Sequence, residues 1–515
     1  MPLIHPENLP VESEVQTDLC ICGAGAAGLF LATALAERGL SAIVLEAGGK
    51  LTEDECASGL EAEVEGGYRA TRDGRAFGLG GTTSRWGGQM VPHTNLDLDS
   101  GDGQAFDFWT ELLPTVERHA PEVYRLLGVE NASNGFQADD LLPAATLVSL
   151  RARGLEVVTG DWLPFSRRNF ATLLNRTGHA APQVYLNSPV VGWELRTDGG
   201  GQLVVVTAIA RSRNAKTIRV RARRYVLAAG TIESTRILLE IERALGRPLH
   251  PGAALGRYLG DHLSCRVAEV AAGCWRQCAT LFGPRFTQKR MRTFRLLPRA
   301  RTDDAPRAYF HFIYEYRDAG IQAVRNLLTA FQTRRWSSAF QPDNLRGTID
   351  LFPLAWHRYL RHRLYLSPST PAHLQLDIEQ TPNPENRVLL SSRRDAHGRP
   401  KALIRWQVTA ADTAAIRSAA VRFLRLWPEK ELNLPLQPVL DHCTAIKPHD
   451  VYHPVGTCRM GVGREAVVDP QLRVHNTQNL WLLSTAVFPT AGTANPTFSL
   501  LCLGAALAER LRSEL

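Results

Sequence analysis

Nowhere in the 515 residues does an apolar run reach the ~18 to 20 residues that a membrane-spanning helix needs, which excludes a helical membrane protein. The opening MPLIHPENLPVESEVQ carries acids and three prolines but no apolar core segment. A secretory signal is therefore not expected there, and the expected compartment is the cytoplasm. Cysteine is sparse and unpatterned: nine residues, an odd number, with no C-x-x-C pair. Reduced thiols are expected rather than a disulfide framework. Cys274 and Cys278 lack the second pair that would complete a zinc site, so no metal is expected. There is no internal repeat and no low-complexity tract, and no nucleic-acid recognition motif accompanies the basic charge.

What is present has the balance of a soluble globular protein, 44% hydrophobic and 21% charged. The length implies roughly two to four domain-sized units. The net charge of +8 is uneven. Residues 271 to 370 hold 17 Lys and Arg against 6 Asp and Glu, so this segment alone is +11 and the remainder is −3. An anionic partner would be sought there, against the plainer alternative of a solvated Arg-rich surface.

The most informative stretch runs from Asp18 to Glu46, DLCICGAGAAGLFLATALAERGLSAIVLE. Leu19 to Cys22 reads as a buried parallel strand, and Gly23, Gly25 and Gly28 follow at G-x-G-x-x-G spacing. The first glycine suits a tight turn, the second a close approach to a pyrophosphate, and the third a helix packed against the sheet. The free N–H groups of that helix's first turn would face the phosphates. A second buried strand, Ala42 to Leu45, ends on Glu46, placed to accept from a ribose hydroxyl. An adenine dinucleotide is expected, FAD or NAD.

Beyond this unit, GLGGTTSRWGGQMVPH, from Gly78 to His93, reads as a loop lying against a flat ligand, with Trp86 between Ser84-Arg85 and Gly87-Gly88. Phe106 to Val129 reads as two helices broken at Pro114 and Pro121. From Val184 the residues turn to Val, Ile and Tyr, predicting strands, and the last of these ends at Ala229-Gly230 before another helix. That second turn could touch the same dinucleotide or be an ordinary connection. Helices are predicted over Ile321 to Trp336 and Asp350 to Leu364, antiparallel strands from Leu374, an amphipathic helix from Ala411 to Leu426, and a hairpin in VVDPQLRVHNTQNLWLL. In the Asp350 to Leu364 helix, Phe352, Trp356, Tyr359 and Leu360 recur at helical spacing beside Arg358, Arg361 and Arg363. It would pack over a pocket or, as the less favoured reading, touch an anionic membrane.

The chain resembles the glucose-methanol-choline (GMC) family of flavin oxidoreductases over nearly its whole length. The matching pieces are GAGAAG with Glu46, GLGGTTSRWGG, VLAAGTIESTRILL, EQTPNPENRVLL, HPVGTCRMG and VFPTAGTANPTFSL. The resemblance implies FAD rather than NAD. It also implies an α/β fold, in which a Rossmann-like FAD-binding domain joins a discontinuous substrate-binding domain of antiparallel sheet plus helices. The FAD domain is expected to take 15–95, 183–262 and 440–515, and the substrate domain 96–182 and 263–439. Cofactor contacts are implied at Gly23, Gly25, Ala26, Ala27, Gly28, Glu46, Ala47, Gly80, Gly81, Thr82, Ser84, Trp86, Gly87, Gly88, Val190, Ala229, Gly230, Asn495, Pro496 and Thr497.

The family's catalytic pair carries over to His453 and Asn495. An imidazole can take a hydroxyl proton near neutral pH while the carbon's hydride passes to the flavin, and an amide can hold the substrate oxygen. His93, His262 and His475 lack such a paired context and read as structural or surface residues. Some relatives attach flavin through a His in the glycine loop; Arg85 stands there, so FAD is expected to be non-covalent. Leu483-Ser484-Thr485 departs from the small residues common before the last motif.

The expected reaction is oxidation of an alcohol, a sugar, polyol or glycoconjugate hydroxyl, to aldehyde or ketone. A dehydrogenase is preferred over an oxidase, and the electron acceptor stays open among oxygen, a quinone and a redox protein. The alternatives are a flavin-containing lyase in which flavin never cycles, and a non-catalytic FAD-stabilised binding protein.

Overall fold

The computed structural model describes residues 3–98, 108–129, 138–176, 180–287, 290–299, 305–316, 319–335, 351–440 and 447–514. Phe106, Trp336, Asp350 and Cys443 lie outside the described residues.

Strand β1 (Glu12–Cys22) changes character along its length: the first part alternates exposed and half-buried, and Leu19 to Cys22 is buried on both faces. It is longer than its apolar half suggests because the polar half is held by pairing rather than by burial. Helix α1 (Ala26–Ala36) follows, buried on nearly every side, as an all-apolar Ala/Leu helix must be. β2 (Ile43–Leu45) returns parallel to β1.

Helix α2 (Phe108–Leu127) is one element, not the two helices that its prolines suggested. Pro114 and Pro121 both lie on the exposed side of the helix. The opposite face buries Trp109, Leu112, Val116, Val123 and Leu127, and that burial keeps the helix continuous.

The chain then supplies β3 (Leu155–Trp162), β4 (Val190–Thr197), β5 (Leu203–Arg211) and β6 (Thr217–Leu227), followed by helix α3 (Gly230–Leu245). Further on come β7 (His262–Val270), β8 (Arg290–Pro298), β9 (Ala308–Tyr314), helix α4 (Ala319–Thr333) and β10 (Ala372–Glu379). Helix α5 (Ala410–Leu426), β11 (Leu480–Leu482) and helix α6 (Pro496–Glu514) complete the elements that frame the site.

One sheet runs in the order Leu3–Ile4, Gln183–Tyr185, β2, β1, β6, β5, β4, with β11 also on β6. Its centre is parallel, and β5 and β4 are antiparallel additions. Helix α1 packs on it and against α6, which in turn packs against α2. The second sheet is antiparallel, in the order Leu436–Pro438, β7, β10, β9, β8, β3, Gln89–Met90. A small third sheet joins Arg387–Arg394, Pro400–Trp406 and Glu63–Gly66. The two large sheets each have their own apolar cluster. Mixed α/β architecture with this pair of sheets agrees with the expected fold class.

The second sheet has two unlike faces. Register pairs Ser264 with Asp377, Tyr309 with Asp377, and His311 with Gln375, so these polar residues share one face with His262. The residues between them, Leu263, Cys265, Leu376, Ile378, Phe310 and Phe312, face the other way, into the cluster that Phe423 of α5 joins. Phe310 and Phe423 stack with centroids 4.0 Å apart.

The predicted hairpin over 467–483 is looser than expected: only β11 is a strand, and isolated bridges such as Val468 to Val474 stand in for the rest. Part of the basic excess of 271–370 is offset by acids elsewhere in the chain. Arg290 and Arg292 flank Asp161 at 2.6 and 2.9 Å, Arg307 meets Glu379 at 3.0 Å, and Arg299 pairs with Glu156. These arginines meet acids that all lie outside the segment, so its sequence charge overstates what solvent sees. Helix 351–359 turns Phe352, Trp356 and Tyr359 outward, 74%, 46% and 73% exposed, so among the described residues they do not pack over a pocket.

Candidate active site

The cradle at the end of β1 is built by glycine. Gly23 has φ +111°, and a Cβ there would stand 2.6 Å from the Ala228 carbonyl oxygen; a Cβ on Gly28 would collide with the Gly23 carbonyl. These contacts lock α1 against β1 and β6. At Gly25, by contrast, a Cβ would meet nothing within 4 Å, and the same holds for Gly230. Gly25 is the N-cap of α1 and Ala229 that of α3, and neither provides a side-chain cap. Two uncapped helix N-termini thus border open space beside adjacent strands, which is the donor set that a pyrophosphate requires. Ala26 and Ala27 open α1 and add no bulk.

The glycine loop closes over this turn. Gly80 N–H donates to the Ala24 carbonyl at 2.9 Å, and Gly81 would place a Cβ 2.9 Å from Gly25 Cα. Glu46 ties the pieces together: its Oε1 accepts from Gly48 and Gly78 N–H at 2.9 and 2.8 Å, and its Oε2 from Ala24 N–H at 2.7 Å. Burial raises the pKa of this carboxyl, and the three amides act against that shift. The carboxylate is therefore a structural clamp, whereas sequence spacing suggested only a ribose contact.

Other residues expected at the cofactor are placed as follows. Ala47 follows the clamp, Val190 opens β4 in the core, and Pro496 and Thr497 begin α6. Ser84 Oγ meets Thr52 Oγ1 at 2.8 Å, and Thr82 is exposed with its hydroxyl donating to the Gly74 carbonyl. Trp86 donates its indole N–H to the Arg168 carbonyl. The space above Gly87 and Gly88 is filled by protein, by the Trp162 ring and the Arg168 side chain, rather than left open as the small residues suggested. Arg85 is exposed.

His453 sits where the two large sheets meet. Its backbone N–H donates to the buried Asp261 carboxylate at 2.9 Å, which also accepts the Tyr68 hydroxyl and the His262 N–H. Burial and the neighbouring Asp450 push the Asp261 pKa up to about 8, against the pull of those donors. Behind the loop, Thr231 and Thr485 both donate to the Pro454 carbonyl at 2.8 Å, so the head of α3 and the 484–487 turn hold it from below.

The imidazole of His453 contacts His262, Nδ1 to Nδ1, at 3.1 Å, and His262 Nε2 meets the Gly492 carbonyl at 2.8 Å. Burial first, then His262 and the Arg295 charge, push the His453 pKa down to about 3, with Asp377 acting in the opposite sense. His453 is therefore neutral, a free base, across the physiological range. Asp261, His262 and His453 bring one ligand atom each within 4.8 Å, but those atoms already bond to backbone groups or to one another.

Asn495 is fixed by Arg295, whose Nη2 donates to its Oδ1 at 2.6 Å while Nη1 donates to the Thr493 carbonyl at 2.9 Å. Asn495 Nδ2 donates to Gln89 Oε1 at 3.2 Å. The Arg295 guanidinium lies 3.8 Å over the Tyr309 ring, which in turn packs edge-on against His262. His453, His262, Tyr309, Arg295 and Asn495 thus form one connected group. Beside it the polar face continues through the His311–Asp377 pair at 2.8 Å and the Gln375–Ser264 bond at 2.8 Å. The Asp377 carboxyl lies well below the usual carboxylate range because His311 bonds to it, despite its burial.

His262 and Arg295 were not singled out by sequence, and the reading of His262 as lacking a paired context is corrected by its contact with His453. His93 is held between Ser499 and the Ala491 carbonyl, and His475 against the Gly461 carbonyl, as structural residues are.

This geometry agrees with the comparisons. Residues 18–254 match the FAD dependent oxidoreductase family model, and residues 382–504 match the GMC oxidoreductase model. The chain is a GMC oxidoreductase. As such it is an FAD-dependent enzyme, and the cradle described above suits that cofactor. The 6'''-hydroxyparomomycin C oxidase of Streptomyces lividus is 23% identical to it, over 94% of this chain and 89% of the relative. Paromamine 6'-oxidase of Streptomyces fradiae is also 23% identical, with the same coverage. An oxygen-dependent choline dehydrogenase of Chromohalobacter salexigens is 29% identical over 24% of this chain and 25% of its own. In fold, pyridoxine 4-oxidase from Mesorbium loti matches with a TM-score of 0.54 and 17% identity, covering 96% of this chain and 99% of that one.

Proposed function

We propose that this GMC oxidoreductase oxidises a hydroxyl of a sugar-like, polyhydroxylated substrate, an amino sugar in the form we favour, to an aldehyde or ketone. The observation that carries the reading is the placement of a neutral His453, linked through His262 and Arg295 to Asn495, at the edge of a sheet face made of Ser264, Tyr309, His311, Gln375 and Asp377. Bound FAD supplies the hydride acceptor. His453 takes the hydroxyl proton, and Asn495, its Oδ1 held by Arg295, exchanges one of its two N–H bonds to Gln89 for one to the substrate oxygen. A face of hydroxyl, amide, imidazole and carboxylate groups suits many hydroxyls better than an aryl or alkyl group. The two relatives that span the chain support the same class, being oxidases of 6'''-hydroxyparomomycin C and paromamine.

In this reading FAD is held without a covalent bond, since Arg85 cannot form one, by 15–95, 183–262 and 440–515, and the substrate by 96–182 and 263–439. The test is anaerobic titration of the purified protein with paromamine-type amino sugars, simple sugars, polyols and choline while the flavin band is followed. Bleaching by the amino sugars is expected, and readmitted air then separates an oxidase from a dehydrogenase. Bleaching by choline alone would overturn the substrate class; cleavage of a substrate without bleaching would indicate a lyase.

A further inference from the structure

The contacts around His262 admit one arrangement of protons. A carbonyl oxygen only accepts, so His262 Nε2, 2.8 Å from the Gly492 carbonyl, carries its hydrogen. In a neutral imidazole the other nitrogen, Nδ1, is then a lone pair. It faces His453 Nδ1 at 3.1 Å, and that contact is a hydrogen bond only if His453 Nδ1 carries the hydrogen. The opposite tautomer would set two lone pairs against each other. In a neutral His453 the lone pair must then lie on Nε2, which has no hydrogen-bond partner among the described residues.

We infer that His262 is a positioning residue that fixes His453 in the tautomer whose Nε2 receives the substrate's hydroxyl proton. The inference rests on the proposed role of His453 as base. Both ends of the chain are anchored independently. Gly492 N–H donates to Glu379 Oε2 at 3.2 Å, and its φ of +67° suits glycine; a Cβ there would meet His93 at 2.6 Å. The His453 backbone is held by Asp261. Partnering a basic histidine with a second neutral imidazole also differs from partnering it with a carboxylate. The tautomer is set without an anion that would stabilise the imidazolium and raise its proton affinity.

Glutamine at position 262 can imitate both ends, its Oε1 accepting from His453 Nδ1 and its Nε2 donating to the Gly492 carbonyl. Phenylalanine keeps the ring volume and imitates neither. His262→Gln is expected to reduce its flavin anaerobically within about threefold of the parent rate. His262→Phe is expected to be about 10²-fold slower at unchanged substrate Kd, with FAD content and Tm matched to the parent. Nitrogen-15 NMR of histidine-labelled holoenzyme reads the tautomer without turnover: His453 Nδ1 should be the protonated nitrogen in the parent and in His262→Gln. Parent-like rates in both variants, equal slowing of both, or Nε2 as the protonated nitrogen in the parent would each overturn the inference. His453→Ala separates the two proposals: if it reduces flavin at the parent rate, the base assignment itself fails, whatever the His262 variants do.

Discussion

The neutrality of His453 has a measurable consequence in acid. An ordinary histidine with a pKa of about 6.5 would keep only about 3% of its base form at pH 5, and a reaction that needs the base would slow about 25-fold between pH 7 and pH 5. Here burial, His262 and Arg295 bring that pKa to about 3, so about 99% of the base form survives at pH 5. The sign follows from which form is disfavoured: all three causes act against the imidazolium, and the acid limb therefore moves down in pH. The charged neighbours are accounted for on each side, Asp377 favouring the cation and Arg295 opposing it. The assay is the anaerobic rate constant for flavin reduction divided by substrate Kd, followed by stopped flow with a substrate that does not itself titrate between pH 5 and 7. The expected change over this range is under about 1.2-fold. A fall of about 25-fold with an apparent pKa near 6.5 would refute the account of the pocket. It would mean that His453 is hydrated or faces an anion in the working enzyme.

Replacing Arg295 with Met frees Asn495 Oδ1 and removes a charge that opposes His453 protonation, so substrate Kd should rise about 10-fold and the acid limb should move toward neutral pH. Asp161→Ala leaves Arg290 and Arg292 buried without their carboxylate, and should cost about 3–5 kcal/mol in a denaturant titration. Gly28→Ala drives a methyl into the Gly23 carbonyl and should cost about 1–3 kcal/mol together with FAD occupancy, read as the ratio of flavin to protein absorbance. Acid precipitation of the holoenzyme should leave its flavin in the supernatant; yellow colour in the pellet would show a covalent bond despite Arg85.

The parts of the molecule that could be read from sequence are those whose causes are local. The β1–α1–β2 unit was legible because an apolar strand, three spaced glycines and an acid follow one another within 29 residues. The last motif placed Asn495 at the head of α6 for the same reason. What escaped depends on neighbours far along the chain. His262 and His453 are 191 positions apart, and nothing beside His262 in the sequence announces the contact. Arg295 looked like one basic residue among seventeen, because its partner Asn495 lies 200 positions away. The charge of the 271–370 segment misled in the same way, since Asp161 and Glu156 that offset it come from β3. Pro114 and Pro121 signalled breaks because propensity acts on the isolated chain, whereas the buried face of α2 acts only in the folded one.

The alternation along β7, β9 and β10 separates two jobs that most enzymes must perform with the same residues. Ser264 and Gln375 can be exchanged while Leu376, Phe310 and Phe312 stay untouched, whereas His311 has to stay as the partner of the buried Asp377 carboxylate. Changes confined to those two positions leave the apolar packing as it is, so the architecture offers itself for retuning one side at a time.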